Sequence, residues 1–566
     1  MTARVLHVTS RLVLLDVIVT DSQGHAVTDL KQGDFTVLED SKQRAISSFE
    51  LIRTAAPASA AAAALKPPVL PPGIYSNRPQ FKPPQAGAVC ILLLDALNST
   101  YADQTRIRLA MLQYADRRLA EGQTLAVMSL SSELNVLQDF TSDPKLLRTA
   151  LQRFRQDRTV LSAANDKVEL SVPSTPEVAA VMAPLVEHVK QFEAERAATT
   201  TDLRVKTTLA ALRAIASAVA GYPGRKNLVW VSDAFPIGFS PDWVERMTTF
   251  ADAGVSPEQV RGPIGVATRR GTAHIGFPRQ YTEELRQTAA LLTAAQVAVY
   301  PVDALGLLPD EVFSSAKEGK AQYIDTNPQA AKELLAGDAG PLDARNTMRE
   351  LADSTGGKAF YGTNDIELAV SESVGDAATY YQISYTPAKD SWDAKYHRIE
   401  VKISRPGVNL RTRRGYYATN PADPPKGMKP RDRLAELLRN PLPATGIIFD
   451  SRMQWLEPGE EGKIRAEFLV HPESLQFDDT SDGQKFCALE FTVAAFATDG
   501  KLMAIEGETA QGALRPETYG RIIKQGLPHK IELRLKPGTT EIRLAVRDLS
   551  SGKAGTLRFP LDIKKP

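Results

Sequence analysis

The stretch that decides the fold is Val89-Cys90-Ile91-Leu92-Leu93-Leu94-Asp95-Ala96-Leu97-Asn98-Ser99-Thr100. Its continuous apolar run is long enough for a buried strand and too short for a membrane span, and it ends at a carboxylate followed by small and hydroxyl side chains. Ligands of open α/β sheets bind beyond the carboxyl ends of the strands. The pattern therefore predicts that Asp95 and Ser99 lie at a binding edge. The alternative is that Asp95 only caps the following helix.

The same arrangement, an apolar strand that ends in a carboxylate, occurs twice more along the chain. Asn227–Ser232 leads to Asp233, and Val297–Val302 leads to Asp303. Segments with helical spacing of apolar residues separate the three strands, which predicts a doubly wound, mostly parallel sheet of the α/β class. In such a sheet Asp95, Asp233 and Asp303 share one edge.

Two irregular stretches, Ala234–Tyr281 and Ala304–Leu342, follow the second and third of these carboxylates. Both are far longer than an ordinary connection and would overhang the same edge of the sheet. Loops of this size on a rigid scaffold are more often functional, and a disordered insertion is the alternative.

A chain of 566 residues is too long for one hydrophobic core and predicts three or four structural units. Alternating strand patterns precede and follow the α/β region, and neither short β segment can bury enough surface alone, so we expect them to share one sandwich. The predicted order is a β-sandwich, first part, at 1–53; a Pro/Ala-rich linker at 54–85; the α/β domain at 86–376; the second part of the sandwich at 377–419; a linker and short helix at 420–443; and a C-terminal β-sandwich at 444–566.

Composition narrows the classes of partner. With 68 basic and 67 acidic residues the net charge is +1, so no overall field attracts nucleic acid or an anionic membrane, and Arg411–Arg414 alternates along a strand as a solvated face. Cys90 and Cys487 lie in apolar runs and are expected to be buried thiols. No apolar segment is long enough for an integral membrane helix, and the first residues lack the pattern of a leader peptide. Opening on a strand pattern suits a mature exported segment as well as a cytoplasmic protein.

The middle region resembles a von Willebrand factor A domain, specifically the VWFA-related family of acidobacterial proteins. The resemblance lies in several phrases that occur in the family's order, namely Ile91–Ser99, Glu121–Val127, Pro223–Asp233 and Leu351–Gly357, with flanking matches at Val19–Gly24, Gly33–Phe35, Tyr381–Tyr385 and Arg414–Tyr417. It implies a von Willebrand factor A-like sheet with two Ig-like β-sandwich domains. It also implies a secreted, periplasmic or cell-envelope protein that binds a protein partner.

Domains of this family carry a metal-ion-dependent adhesion site with the pattern Asp-x-Ser-x-Ser, a threonine from a second loop and a later aspartate. The resemblance implies Asp95, Ser99, Thr208 and Asp233 as ligands of Mg²⁺, with an acidic residue of the partner completing the shell. Leu97 stands where the middle serine belongs, so the site is degenerate. Thr208 begins a Thr-x-x-Ala-Leu phrase, and its competitors are Thr199, Thr200, Thr201 and Thr207.

The common motifs of metalloproteases, phosphate-binding loops and serine hydrolases do not occur in the sequence. We therefore expect a non-enzymatic binding or adhesion protein. Two alternatives stay open: a metal-dependent hydrolase that uses Asp95, Asp233 and Asp303 at the same edge, and a purely structural envelope assembly module. Neither the identity of the partner nor the oligomeric state follows from the sequence.

Overall fold

The computed structural model describes residues 12–53, 70–79, 89–117, 124–154, 176–232, 281–303, 339–361, 366–387, 393, 395–418, 430–459, 461–480 and 482–561. The first β elements are β1 (Val13–Thr20), β2 (Phe35–Glu39), β3 (Lys42–Arg44), β4 (Ile46–Arg53) and β5 (Ile74–Ser76). The α/β region follows with β6 (Val89–Asp95), α1 (Tyr101–Arg117), β7 (Thr124–Leu130), β8 (Leu134–Thr141), α2 (Pro144–Arg153), α3 (Pro176–Val219), β9 (Lys226–Ser232), α4 (Thr282–Ala294), β10 (Val297–Asp303), α5 (Ala339–Thr355) and α6 (Ile366–Gly375).

The remaining elements are mostly strands. They are β11 (Thr379–Tyr385), β12 (Tyr396–Ile403), β13 (Asn409–Arg411), β14 (Gly415–Tyr417), α7 (Pro430–Arg439), β15 (Phe449–Glu457), β16 (Lys463–Val470), β17 (Asp478–Asp479), β18 (Lys485–Phe496), β19 (Leu502–Leu514), α8 (Pro516–Gln525), β20 (Leu527–Arg534), β21 (Glu541–Asp548) and β22 (Ala554–Pro560). Among the described helices, none combines the length and apolar character needed to cross a membrane.

The central sheet has the strand order β10-β9-β6-β7-β8, with β8 antiparallel to β7 and the other neighbours parallel. The predicted mixed α/β class with a mostly parallel sheet is confirmed. The apolar run of β6 is uninterrupted because both faces of the sheet are covered. Ile91 and Leu93 pack under α3, α4 and α5, whereas Leu92 and Leu94 pack under α1, α2 and α6. Each such buried side chain contributes about 1.5–3 kcal/mol.

Helix α3 is longer than the sheet that it covers. Among the residues of α3 whose burial the structure describes, the buried ones lie between Arg204 and Val219, next to strands of seven residues. The amino-terminal extension that precedes them, from Pro176 to Leu203, spans roughly 40 Å at about 1.5 Å per residue. Because α3 leads into the amino end of β9, this extension lies on the side of the carboxyl edge.

Strands from before and after the α/β region pair with each other. One sheet has the order β13-β1-β11-β4 and the other β14-β12-β2-β3, and apolar side chains from both fill a common core. Pairing is antiparallel, for example Val13 with Tyr385. Paired in this way, the two segments bury apolar surface that neither could bury alone. The domain boundaries at 53 and 377 stay a prediction.

The C-terminal strands form two further sheets around a third core, in the orders β20-β16-β15-β5 and β17-β18-β21-β22, with β19 on β18. Strand β5 lies within the stretch 54–85 that was predicted to be a linker, and its residues Ile74–Ser76 pair with β15. The adjacent Asn77 amide donates to the carbonyls of Ala444 (2.9 Å) and Ile447 (2.7 Å). Backbone pairing at a sheet edge needs no side-chain periodicity, so the sequence pattern did not indicate this strand. Residues 54–69 and 80–85 lie outside the described part of the chain.

Both β regions contact the α/β region at the amino end of β9. The Thr445 N–H donates to the Ser217 carbonyl (3.0 Å) and the Gly221 N–H donates to the Thr445 hydroxyl (2.8 Å). The Arg225 N–H donates to the Tyr380 hydroxyl (2.9 Å). These contacts lie at the end of the sheet opposite to the one at which Asp95 lies.

His397 on β12 gives the small sandwich a pH-dependent contribution to stability. Its Nδ1 lies 2.7 Å from Asp40 Oδ2 and its Nε2 lies 3.1 Å from Asp393 Oδ1. Partial burial lowers the pKa of His397, but the bonds to the two carboxylates outweigh it and the net pKa is raised. Both ring nitrogens can donate only in the protonated ring.

Since the pKa of His397 is raised on folding, its stabilisation is complete below the unfolded pKa of about 6.5 and is lost as the pH rises through the folded pKa. We expect His397→Gln to lower the free energy of unfolding by about 1 kcal/mol at pH 5.5 and by clearly less at pH 8.5. Urea unfolding of both proteins at the two pH values measures this. An equal loss at both would contradict the assignment.

Candidate functional site

Asp95, the last residue of β6, is completely buried and is surrounded by donors. Its Oδ2 accepts hydrogen bonds from Asn98 Nδ2 (2.8 Å), Trp230 Nε1 (2.9 Å) and Ser232 Oγ (2.9 Å). Its Oδ1 accepts from the Asn98 backbone N–H (2.9 Å). The carboxylate therefore joins its own loop to the neighbouring strand β9.

Burial raises the pKa of Asp95, and the hydrogen bonds from Asn98, Trp230 and Ser232 oppose this rise without cancelling it. A buried carboxylate is tolerated when its lone pairs are hydrogen-bonded. Asp95 thus serves to hold the loop rather than to present a charge to solvent.

Asn98 links this carboxylate to helix α3. Its Nδ2 also donates to Thr208 Oγ1 (2.9 Å), and its Oδ1 accepts from Arg204 Nε (3.2 Å). The Thr208 hydroxyl in turn donates to the Arg204 carbonyl (2.9 Å). We call Asp95, Asn98, Arg204 and Thr208 the edge network.

Backbone contacts hold the rest of the loop after β6. The N–H groups of Ala96 and Leu97 donate to the Leu130 carbonyl at the end of β7 (2.8 and 3.0 Å). Gln104 Nε2 donates to the carbonyls of Ala96 (2.9 Å) and Ser99 (3.1 Å). Leu97 is buried in the apolar core under α3. The loop is consequently attached to β7, to α1 and to the core under α3.

The structure brings together two of the four predicted ligands, Asp95 and Thr208, through the Asn98 amide that bonds both. Ser99 is buried in the same loop, and Asp233 lies outside the described residues. Of the competing threonines, Thr199 is exposed and Thr200 bonds back to the Arg196 carbonyl (2.9 Å). Thr208 bonds the loop through its hydroxyl.

Asp303, the third predicted carboxylate, is fully buried at the end of β10. Strand β9 lies between β10 and β6, which separates Asp303 from Asp95 by two strand spacings, roughly 10 Å. Within the described ranges, no group of three or more His, Cys, Asp or Glu side chains could hold a metal ion.

Sequence reasoning missed Asn98, Trp230, Ser232 and Arg204. Asn98 stands inside the stretch that decides the fold, but the Asp-x-Ser-x-Ser pattern directs attention to the positions on either side of it. Trp230 lies in an apolar run and has the sequence appearance of a core residue, and only its indole N–H distinguishes it. Arg204 is one of many arginines in a helical segment.

The described side chains do not fit an open Mg²⁺ site. Mg²⁺ requires near-octahedral oxygen ligands at about 2.0–2.1 Å. Here the amide nitrogen of Asn98 lies between the oxygens of Asp95 and Thr208, and Leu97 supplies no oxygen. The guanidinium of Arg204 bonds Asn98 Oδ1 and so places a positive charge beside these side chains.

No family model and no curated protein matches this chain. Among solved structures, an aerotolerance-related membrane protein from Bacteroides fragilis NCTC 9343 is 11% identical, with a TM-score of 0.24, over 51% of this chain and 99% of that chain. The vWF domain of the type V pili tip protein Mfa5 from Porphyromonas gingivalis is 10% identical, with a TM-score of 0.24, over 51% and 94%.

Three N-terminal domains of the same Mfa5 protein are 9% identical, with a TM-score of 0.20, over 91% of this chain and 77% of that chain. TM-scores of this size do not establish a shared fold. The proposals below therefore rest on the hydrogen bonds and burial of the edge network and its surroundings.

Proposed function

We propose that this protein is a non-enzymatic protein-binding or adhesion protein. In it, a von Willebrand factor A-like domain with a degenerate metal-ion-dependent adhesion site presents the carboxyl edge of its sheet to a protein partner. The observation that carries this proposal is the edge network, which ties the loop after β6 to α3 through side chains more than a hundred residues apart. A loop held in one conformation loses little entropy on binding.

The burial of the polar groups at this edge supports binding rather than catalysis. Asp95 and Ser232 are fully buried, and Ser99 and Thr208 are almost or completely so. A nucleophile or general base must reach the substrate within hydrogen-bond distance. The carboxylate of Asp95 is instead enclosed by donors of the protein itself.

Two large apolar side chains beside the edge network supply a contact surface. Tyr101, at the start of α1 and two residues after Ser99, is 47% exposed. Leu203, adjacent to Arg204 on α3, is 46% exposed. Tyrosine is among the side chains that contribute most to the binding energy of an interface, and burial of a leucine removes further apolar surface from water. We call Tyr101 and Leu203 the apolar rim.

The finer assignments rest on the motif phrases. We propose membership of the VWFA-related family of acidobacterial proteins, Ig-like character for the two β regions, and a secreted, periplasmic or cell-envelope location. Attachment of both β regions at the amino end of β9 supports a role for them as spacers or docks that leave the carboxyl edge accessible.

Capture of the partner from an envelope extract of the source bacterium tests the proposal. We expect the full chain to retain one specific protein, and Tyr101→Ser combined with Leu203→Ser to weaken its binding about tenfold or more, equivalent to about 1.4 kcal/mol. Leu502→Ser is the matched control, because Leu502 is similarly exposed, at 41%, on β19. Equal binding by the rim variant and the control would contradict the assigned edge. Turnover of generic esterase, phosphatase or peptidase substrates that disappears in Asp95→Ala would contradict the non-enzymatic class.

A further inference from the structure

We propose that the edge network replaces the metal ion of an adhesion site: the Asn98 amide occupies the position between Asp95 and Thr208, and the Arg204 guanidinium supplies the positive charge, so that the site works without a divalent cation. This inference deepens the proposed function by stating how the same edge is held together. Its metal measurements do not depend on a partner.

The Asn98 amide lies between a carboxylate and a hydroxyl that were predicted to bind a metal ion. Asn98 Nδ2 lies 2.8 Å from Asp95 Oδ2 and 2.9 Å from Thr208 Oγ1, so it joins a carboxylate from one loop to a hydroxyl from a helix. An ion bound by these two oxygens would have to lie where this nitrogen lies. The assignment of the amide nitrogen and oxygen follows from their partners, because an ionised carboxylate can only accept and Arg204 can only donate.

The carboxylate of Asp95 already accepts hydrogen bonds from the protein at both oxygens. An ionised carboxylate has about four lone-pair sites. Three donors bond Oδ2, namely the Asn98 amide, the Trp230 indole and the Ser232 hydroxyl, and the Asn98 backbone N–H bonds Oδ1. A metal ion bound at Oδ2, the oxygen that the amide joins to Thr208, would have to displace one of its three donors, and a displaced, buried indole or amide N–H would lose its partner at a cost of about 1–3 kcal/mol.

The positive charge of Arg204 opposes the binding of a cation at this position. Arg204 is 7% exposed and its Nε donates to Asn98 Oδ1 at 3.2 Å. A guanidinium keeps its charge in proteins. A divalent cation between Asp95 and Thr208 would therefore lie close to a fixed like charge in a poorly solvated region, whereas the amide does not repel the guanidinium.

Leu97 supplies no ligand for a metal ion. It stands at the position of the missing hydroxyl and is buried in the apolar core under α3. The position is therefore used for packing and supplies no oxygen ligand. The partner is then recognised by the shape and apolar rim of the edge rather than by a carboxylate bound to a metal ion.

The test is titration of Mn²⁺ and Mg²⁺ into the full chain after removal of metal with EDTA, read by calorimetry and by the melting temperature. We expect no heat of binding and no shift of the wild-type melting temperature at about 1 mM metal. This concentration matches the weakest dissociation constants of extracellular Ca²⁺-binding modules. Asn98→Asp removes the amide and adds a second carboxylate beside Asp95, so its repulsion should be relieved by metal. For this variant we expect a rise of several degrees in melting temperature with Mn²⁺.

The control is Asn409→Asp, which adds a carboxylate at an exposed position of β13 and should not respond to metal. Binding of one Mn²⁺ per wild-type chain that disappears in Asp95→Asn would overturn the inference. If Asn98→Asp does not fold, the wild-type titration with Asp95→Asn still decides it. Partner capture in EDTA gives an independent readout: we expect it to equal capture in Mg²⁺, and its loss in EDTA would also overturn the inference. Absence of any captured partner would count against the proposed function alone.

Discussion

Replacing Arg225 by methionine should lower the free energy of unfolding by about 3–5 kcal/mol, the usual cost of removing one partner from a buried ion pair. Arg225 immediately precedes β9 and is only 4% exposed. Its guanidinium donates to Asn227 Oδ1 (3.1 Å), the Tyr300 hydroxyl (3.0 Å) and the Gly356 carbonyl (2.7 Å).

The same guanidinium lies 3.7 Å from the Asp16 carboxylate of β1, which belongs to the small sandwich. The substitution would leave this carboxylate and three other polar groups without their donor at the junction of the two regions. Urea unfolding followed by circular dichroism, with hydrogen exchange of the β9 amides, measures the loss. Arg225→Lys should not restore stability, since one ammonium group cannot reproduce donors that point in several fixed directions.

Arg148→Met is the matched control. Arg148 pairs with Asp116 at 2.7 Å, but its side chain is 54% exposed. An exposed pair contributes about 0–1 kcal/mol. If Arg225→Met costs no more than Arg148→Met, the buried network at the junction does not stabilise the protein.

Replacing Gly357 by alanine should destabilise the α/β region by about 1–3 kcal/mol or more, because the new methyl group meets backbone rather than a movable side chain. A Cβ built on Gly357 would lie 1.9 Å from the Val299 carbonyl oxygen and 2.7 Å from its carbon. Val299 is buried in the middle of β10, so relief requires that the strand or the end of α5 moves. Thermal unfolding and hydrogen exchange of β10 measure the effect.

Gly375→Ala provides the control in the same region. Gly375 ends α6, and a Cβ added there would meet nothing within 4 Å. Alanine favours helix over glycine, so this change should be neutral or slightly stabilising. Equal stability of the Gly357 and Gly375 variants would show that the contact with Val299 relaxes freely.

The sheet of the α/β region was predictable because its strands carry their signal locally. The predicted runs at Val89–Leu94, Asn227–Ser232 and Val297–Val302 all lie in buried strands with parallel neighbours. Their parallel direction follows from the helices that separate them, whereas their order in the sheet was not predicted. The resemblance to a family was not needed for this step, since run length and the ends of the runs suffice.

The site was predictable only in outline. The position of Asp95 follows from the end of its strand, and Thr208 followed from a resemblance. That the Asn98 amide joins them could not be predicted, since Thr208 is 110 positions away along the chain and the bond requires a particular rotation of α3. In the same way, Trp230 donates to a carboxylate 135 positions away.

The sequence by itself determined the layers of this protein: which segments are buried strands, which helices cover them and which segments are too short to fold alone. Hydrophobic burial is non-directional and depends on amounts of apolar surface, which can be read from run length and periodicity. Only the tertiary structure decided which polar groups meet, including the Asn98 amide between Asp95 and Thr208, Arg225 against Asp16, and β5 on β15. Hydrogen bonds are directional and require atoms within about 3 Å, and such distances exist only after distant segments have packed.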